Sequence, residues 1–329
     1  MDTPQMKREK DIVKWADEIA DFAKMVEDFT GKTLTVENLD VAIKTINAKR
    51  RALARVYEAR KATNCIPISG KDALLMTQIA FFDDPARCAE MANKLAEELE
   101  QRVADGVSVF PAGTKRILLT GTPLAILNWK LHHVIETSGV AVVCEEICIG
   151  TRYFENEVDE SQTTLEGQFM ALSERCMKNN CACFTPNPGR IEDIIRLAKA
   201  YQVDGVIDVN LKFCTLYDVE KSSVAQALEA EGIPCLGLET DYTDNDAEQL
   251  RTRVGAFVVK RVATLVGQVS ADQYFLTGGL CENDYVREQL SQILKAPITS
   301  TPEARYAGAL GAALTARELT VKKDNAITA

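Results

Sequence analysis

From Lys115 onward the chain repeats one unit: an apolar run of strand length, a tight turn, and a stretch with helical spacing. The run Arg116-Ile-Leu-Leu-Thr-Gly-Thr-Pro123 ends in such a turn and leads into a helix reaching Ile135. Ala141-Val-Val-Cys144 is a second run, Gly205-Val-Ile-Asp-Val209 a third and Pro234-Cys-Leu-Gly-Leu-Glu239 a fourth, with helices predicted over 191–201 and about 222–230. Strands alternating with helices across short loops leave one economical solution, a parallel sheet covered by helices on both faces. In such a sheet ligands bind beyond the carboxyl ends of the strands. Chemistry-bearing residues at those ends therefore matter most.

The flanks read differently. Over the first hundred residues Leu39, Ile43, Ile46, Leu53 and Tyr57 recur at helical spacing behind the capping residues Thr35 and Asn38. Lys49, Arg50, Arg51, Arg55 and Arg60 fall on the opposite face; a solvated face is the plain reading and a phosphate-binding one the sharper. Cys65 to Gly70 interrupts the helix, Ser69 can cap the next, and a further helix follows Asp84-Pro85 to about Asp105. After about Val259 come a helix to Val269, a strand and turn over 273–279, a helix over 284–294, a strand at Ile298 and a small-residue helix over 306–313. The fold class is thus α/β: a helical region (1–108), a doubly wound, Rossmann-like parallel-sheet domain (109–258) and a short βαβα tail (259–329).

Hydrophobic residues at 46% and charged residues at 26% describe an ordinary soluble chain. No apolar run reaches the roughly 20 residues that span a bilayer. The N-terminus, MDTPQMKREKDIVKWADEIADF, has no apolar core of a secretion signal, so a cytoplasmic location is expected. A net charge of −10 argues against nucleic acid as a partner.

The ten cysteines, in this setting, are expected to be thiols rather than disulfides. The two histidines, His132 and His133, are adjacent and point about 100° apart on a helix, so they make no paired metal site. Any metal would sit mainly on sulfur. Cys148 follows the second strand; Cys181 and Cys183 lie in Cys-Ala-Cys-Phe-Thr-Pro-Asn-Pro-Gly-Arg190, a turn-rich loop ahead of a helix; Cys214 closes Asp208-Val-Asn-Leu-Lys-Phe-Cys214. Backbone N–H groups at a helix start favour the thiolate that an iron–sulfur cluster requires. Loops at one sheet edge can bring such thiols together. Glu145, Glu146, Glu239 and Asp241 also lie near strand ends; a solvated or capping role is expected, with acid–base work the alternative. Thr120-Gly121-Thr122 offers a minimal anion-binding turn.

The segments KRILLTGTPLA, EEICIGTRYFENEVDE, CACFTPNPGR, YQVDGVIDVNLKFCTLYDVE and GIPCLGLETDYTDNDAEQLRTRVGAF resemble, in that order, the 2-hydroxyacyl-CoA dehydratase and benzoyl-CoA reductase family. The Cys-Ala-Cys form is similar to its double-cubane-cluster branch. The resemblance implies that Cys214 is a cluster ligand, and that Cys148 and one of Cys181 or Cys183 are further ligands of a [4Fe-4S] or double-cubane cluster. It implies an ATP-dependent activator that delivers low-potential electrons, a second dehydratase-type subunit, and an acyl-CoA substrate that loses its hydroxyl as water. Relative to that family the chain is expected to lack a preceding α/β domain, which leaves open a non-catalytic binding or regulatory role without a cluster of its own.

The tail, VKRVATLVGQVSADQYFLTGGLCEN and RYAGALGAALTARE, resembles the C-terminal end of the activator ATPases of the acetate kinase/Hsp70/actin-like fold. There the turn Thr277-Gly278-Gly279 implies an adenosine contact, with Gly278 and Gly279 as cofactor-binding positions. The phosphate loops of those ATPases are missing, so ATP is expected to act only through the partner. The change of family falls at about Phe257 to Lys260.

Overall fold

The computed structural model describes residues 1–126, 128–266, 272–277, 281 and 283–306. Four helices come first: α1 (Glu9–Thr30), α2 (Val36–Ala59), α3 (Gly70–Ile79) and α4 (Pro85–Asp105). Three of them start on the residue types that satisfy orphan N–H groups. Thr35 accepts from Asn38, Ser69 from Asp72, and Asp84 from Ala86 and Arg87, with Pro85 in the first turn. α2 and α4 pack through small residues, Ala52, Ala89, Ala92 and Ala96, around Leu53, Val56 and Leu99. Small side chains let the two backbones approach closely.

The sheet consists of β1 (Lys115–Gly121), β2 (Val140–Glu146), β3 (Gly205–Leu211) and β4 (Cys235–Thr240). Its order is β2-β1-β3-β4, and every pairing is parallel. Between and after the strands run α5 (Lys130–Thr137), α6 (Thr151–Phe154), α7 (Leu165–Met177), α8 (Pro188–Ala200), α9 (Thr215–Ala230) and α10 (Ala247–Val266). Successive strand residues serve opposite faces. Leu118, Val143 and Val206 join Ile194 and Leu197 of α8 and Val224 and Leu228 of α9 on one side. Ile117, Leu119, Val142 and Ile207 join Leu131 and Ile135 of α5 and Leu250 and Val254 of α10 on the other. Burial on both faces explains the unbroken apolar runs seen in the sequence.

The chain leaves β1 toward β2 and then crosses back to lay β3 on the other side of β1, so the strand order reverses between β1 and β3. Gly121 ends β1 there with φ 116°, and a Cβ on it would stand 2.0 Å from the carbonyl oxygen of Val209. Only glycine allows this contact. The strands and helices predicted over 115–239 are present, with α9 starting earlier than expected; α6 and α7 are additional.

Beyond β4, the expected joint at Phe257–Lys260 falls inside the continuous helix α10. Val258 belongs to the sheet-facing core, whereas Val259 packs with Val286 and Leu290 of α11 (Asp284–Leu294). β5 (Tyr274–Phe275) pairs in parallel with β6 (Ile298–Thr299). A 3-10 turn covers Pro302–Tyr306, and the small-residue helix expected over 306–313 lies almost wholly outside the described residues. Among the described residues no helix is long and apolar enough to cross a membrane.

Candidate functional site

Three segments meet at the carboxyl edge of the sheet. The turn after β2 carries Cys148 and passes into α6 with Arg152; the loop before α8 carries Cys181 and Cys183; the start of α9 carries Cys214 and Tyr217. α8 returns antiparallel to the strands, so its first turn and the loop before it lie at this edge. Asn187 pins the loop by donating to the carbonyl of Cys181 and to Glu220 Oε1, both at 3.0 Å. The N-terminal segment fastens it from outside. The Thr185 N–H donates to the Gln5 carbonyl at 3.0 Å, and Lys7 Nζ donates to the carbonyl of Asn179 at 2.6 Å.

Cys148 and Cys181 meet the same pair of side chains: Arg152 Nη1 lies 3.9 Å from Cys148 Sγ and Tyr217 Oη 3.8 Å from Cys181 Sγ. Their mutual influence draws Cys181 down to about 4 against the opposing effect of burial, and together with burial pushes Cys148 up. Burial and the neighbouring charge of Cys181 raise Cys183 to about 11. Cys183 follows two residues after Cys181 in the same loop. Cys214 caps α9 at the same edge, half-buried, but among the described residues no hydrogen bond joins it to the other three. Among the described residues no set of three or more His, Cys, Asp or Glu closes around a single metal ion. All ten cysteines are free thiols.

Behind the thiols lies a buried charge network. Arg152 holds Glu146 through Nε and through Nη2, the latter 2.7 Å from Oε2. Its Nη1 donates to Tyr217 Oη at 2.5 Å and reaches Cys148 Sγ at 3.9 Å. Tyr217 Oη in turn lies 3.8 Å from Cys181 Sγ. Arg190, from the first turn of α8 and fully buried, donates to Glu220 at 2.8 Å and lies 3.4 Å from Asp208. Burial raises Asp208 above the usual carboxylate range, partly offset by the charge of Arg190. Thr120 Oγ1 donates to Glu146 at 2.5 Å. None of Arg152, Arg190 and Tyr217 stands out by spacing. They come together only through the sheet.

A second network sits deeper. Arg60 grips Glu145 at 2.6 and 3.0 Å, Tyr57 donates to the same carboxylate at 2.6 Å, and His132 Nε2 lies 3.2 Å away. These contacts correct two expectations. Glu145 and Glu146 are buried at 0% and 1% exposure rather than solvated, because Arg60 neutralises the first and Arg152 the second. The cationic face of α2 is likewise not a solvated face throughout. Lys49, Arg50 and Arg60 are buried; Lys49 donates to the Ala80 carbonyl at 2.9 Å and Arg50 to Asn47 Oδ1 at 2.9 Å. Arg51 and Arg55 do face outward, onto Glu157, Glu160 and Glu100.

The remaining positions fall as follows. Glu239 is exposed, and Asp241 pairs with Lys212 at 2.7 Å while accepting from the Thr243 N–H at 2.8 Å, the capping role expected. The Thr120-Gly121-Thr122 turn is committed to the sheet: the Thr122 N–H donates to the Val209 carbonyl at 2.8 Å and its Oγ1 accepts from the Leu211 N–H at 3.2 Å. His132 is buried and His133 exposed, so they share no ligand. Gly278 and Gly279 lie outside the described residues.

Comparison with known proteins supplies the family. The model of the family described as 2-hydroxyglutaryl-CoA dehydratase, D-component, matches residues 1–258. The chain is 33% identical over 247 residues to the Escherichia coli (strain K12) protein named "Putative dehydratase subunit YjiM", covering 74% of this chain and 62% of that protein. It is 24% identical over 236 residues to the (R)-phenyllactyl-CoA dehydratase beta subunit of Clostridium sporogenes, covering 71% and 60%. It is also 24% identical over 241 residues to the (R)-2-hydroxyglutaryl-CoA dehydratase subunit beta of Acidaminococcus fermentans, covering 70% and 60%. The chain thus spans about three fifths of the length of these relatives.

Proposed function

The chain belongs to the 2-hydroxyglutaryl-CoA dehydratase D-component family, and we propose that it serves as the iron–sulfur subunit of a 2-hydroxyacyl-CoA dehydratase-type system. In this reading it works beside a second dehydratase-type subunit and receives electrons from an ATP-dependent activator, and the substrate is an acyl-CoA thioester. The observation that carries the proposal is the meeting of Cys148 and Cys181 with the Arg152–Tyr217 pair at the carboxyl edge of a parallel sheet, Cys183 lying two residues along the same loop.

The donor set suits a sulfur-ligated cluster in its chemistry. Three thiols lie at one sheet edge, a cationic N–H donor faces sulfur, and the nearby carboxylate of Glu146 is already bound by Arg152 and Thr120. A cluster is wider than a single ion and sets its ligands further apart, so a compact single-ion cage is not required. Cys148, Cys181 or Cys183, and Cys214 would hold the cluster, with Cys214 supplied from the start of α9. The bound group would supply low-potential electron transfer and an iron site for a substrate oxygen. The chain's own residues contribute the rest. Asn187 fixes the loop, and Arg152 and Tyr217 turn hydrogen-bond donors toward sulfur.

Anaerobic purification and reconstitution with ferrous iron and sulfide test the proposal, comparing the wild type with Cys181→Ser and Cys214→Ala. Several irons per chain with matching sulfide, reduced in both variants, are expected. That no hydrogen bond joins Cys214 to the other thiols among the described residues favours one second reading, a binding module without its own cluster. Metal-free, folded protein in all three preparations would overturn the cluster reading and favour that one.

A further inference from the structure

We infer that Arg152 and Tyr217 form a donor pair that sets the reduction potential of the sulfur site; the inference rests on the iron–sulfur reading above. Arg152 is 6% exposed and uses two faces of its guanidinium for different tasks. Nε and Nη2 are spent on Glu146, while Nη1 projects toward the thiols, 2.5 Å from Tyr217 Oη and 3.9 Å from Cys148 Sγ. Because Oη accepts the arginine N–H, the phenolic proton is left for Cys181 Sγ at 3.8 Å. Each of these two thiols therefore faces one donor of this unit.

The rest of the network holds that orientation. Two guanidinium groups approach the Tyr217 ring, Arg190 at 4.9 Å and Arg152 at 5.6 Å from its centre. Arg190 is neutralised chiefly by Glu220 and Asp208 and reaches Glu146 only at 3.9 Å, whereas Arg152 Nη2 holds Glu146 at 2.7 Å. Thr120 fixes Glu146 from the far side. The Glu146–Arg152 pair is consequently a fixed dipole whose positive end points at sulfur. Such a buried arrangement stabilises the more negative, reduced state, because hydrogen bonds to sulfur and nearby charge are the levers that set cluster potentials. Arg152 and Tyr217 act through the cysteines rather than on the substrate, so they are positioning residues.

The test is a dye-mediated reduction titration followed by electron paramagnetic resonance, on protein reconstituted anaerobically with ferrous iron and sulfide, with iron counted in each sample. Tyr217→Phe removes one O–H and leaves every charge in place. The double variant Glu146→Gln with Arg152→Gln removes the dipole without leaving one buried charge unpaired. Iron content equal to wild type with a midpoint shifted to more negative potential is expected for both, the double variant shifting further. Equal iron with an unchanged midpoint in Tyr217→Phe would overturn the inference while leaving the cluster reading standing. Iron absent from the wild type itself would overturn both. Should the double variant fail to fold, Tyr217→Phe decides the matter alone.

Discussion

The guanidinium of Arg60 closes on both carboxylate oxygens of Glu145, at 2.6 and 3.0 Å, across 85 residues of sequence and with neither side chain exposed by more than 1%. This pair ties the end of α2 to the second strand and so fastens the helical region to the sheet. Its partners, Tyr57 and His132, approach the same carboxylate from α2 and α5. Breaking it leaves a charge stranded in the core. Arg60→Met and Glu145→Leu are each expected to cost about 3–5 kcal/mol, and the double replacement less than the sum of the two. Urea unfolding of the three variants measures this; additive costs would show that the pair is not coupled.

Glu145 also predicts an acid response. Burial alone would raise its pKa, but the charge of Arg60 and the hydrogen bonds from His132 and Arg60 bring it down from 4.5 to about 2. A depressed carboxylate stabilises the fold above its unfolded value and loses that contribution as pH falls through the folded one. Stability should therefore decline between pH 4.5 and about 2, by roughly 3 kcal/mol from this group. Unfolding midpoints across that range in wild type and Glu145→Gln check the point. The variant should lack this share of the slope, and an unchanged slope would assign the acid response elsewhere.

Gly121 carries the next prediction. Alanine there would need a left-handed φ of 116° and would meet the Val209 carbonyl at 2.0 Å. Gly121→Ala should lower stability by at least about 1–3 kcal/mol through strain at the junction of β1 and β3. Thermal unfolding reads the loss directly. A variant as stable as wild type would mean the two strand ends can separate without cost.

A cap offers a smaller, local test. Thr35 Oγ1 accepts the Asn38 N–H at 3.2 Å at an exposed helix start. Thr35→Ala is expected to cost about 1 kcal/mol and to leave the thiol site untouched. Chemical denaturation together with thiol counting separates the two effects.

Much of the fold was legible in the sequence for a physical reason. Strands buried on both faces must be apolar throughout, and runs such as Arg116–Thr120 and Ala141–Cys144 show it. α7 was not legible, since it buries Gln168, Ser173 and Arg175 alongside Ala171 and so lacks a clean apolar period. The thiols of Cys148, Cys181 and Cys183 could be picked out because a loop at a strand end is recognisable from its turn residues. Their surroundings could not. Glu145 and Glu146 read as solvated because adjacent acids usually are, and their burial depends on Arg60, Arg152 and Arg190, brought in by three different elements. Arg152 and Tyr217 are ordinary helix residues until the fold sets them beside sulfur.

The most direct test of the central proposal is the iron and acid-labile sulfide content of wild-type protein after strictly anaerobic reconstitution, set against Cys181→Ser. Several irons and matching sulfide per chain are expected in the wild type, with a clear loss when Cys181 is replaced. A well-folded wild type that takes up neither would contradict the proposal.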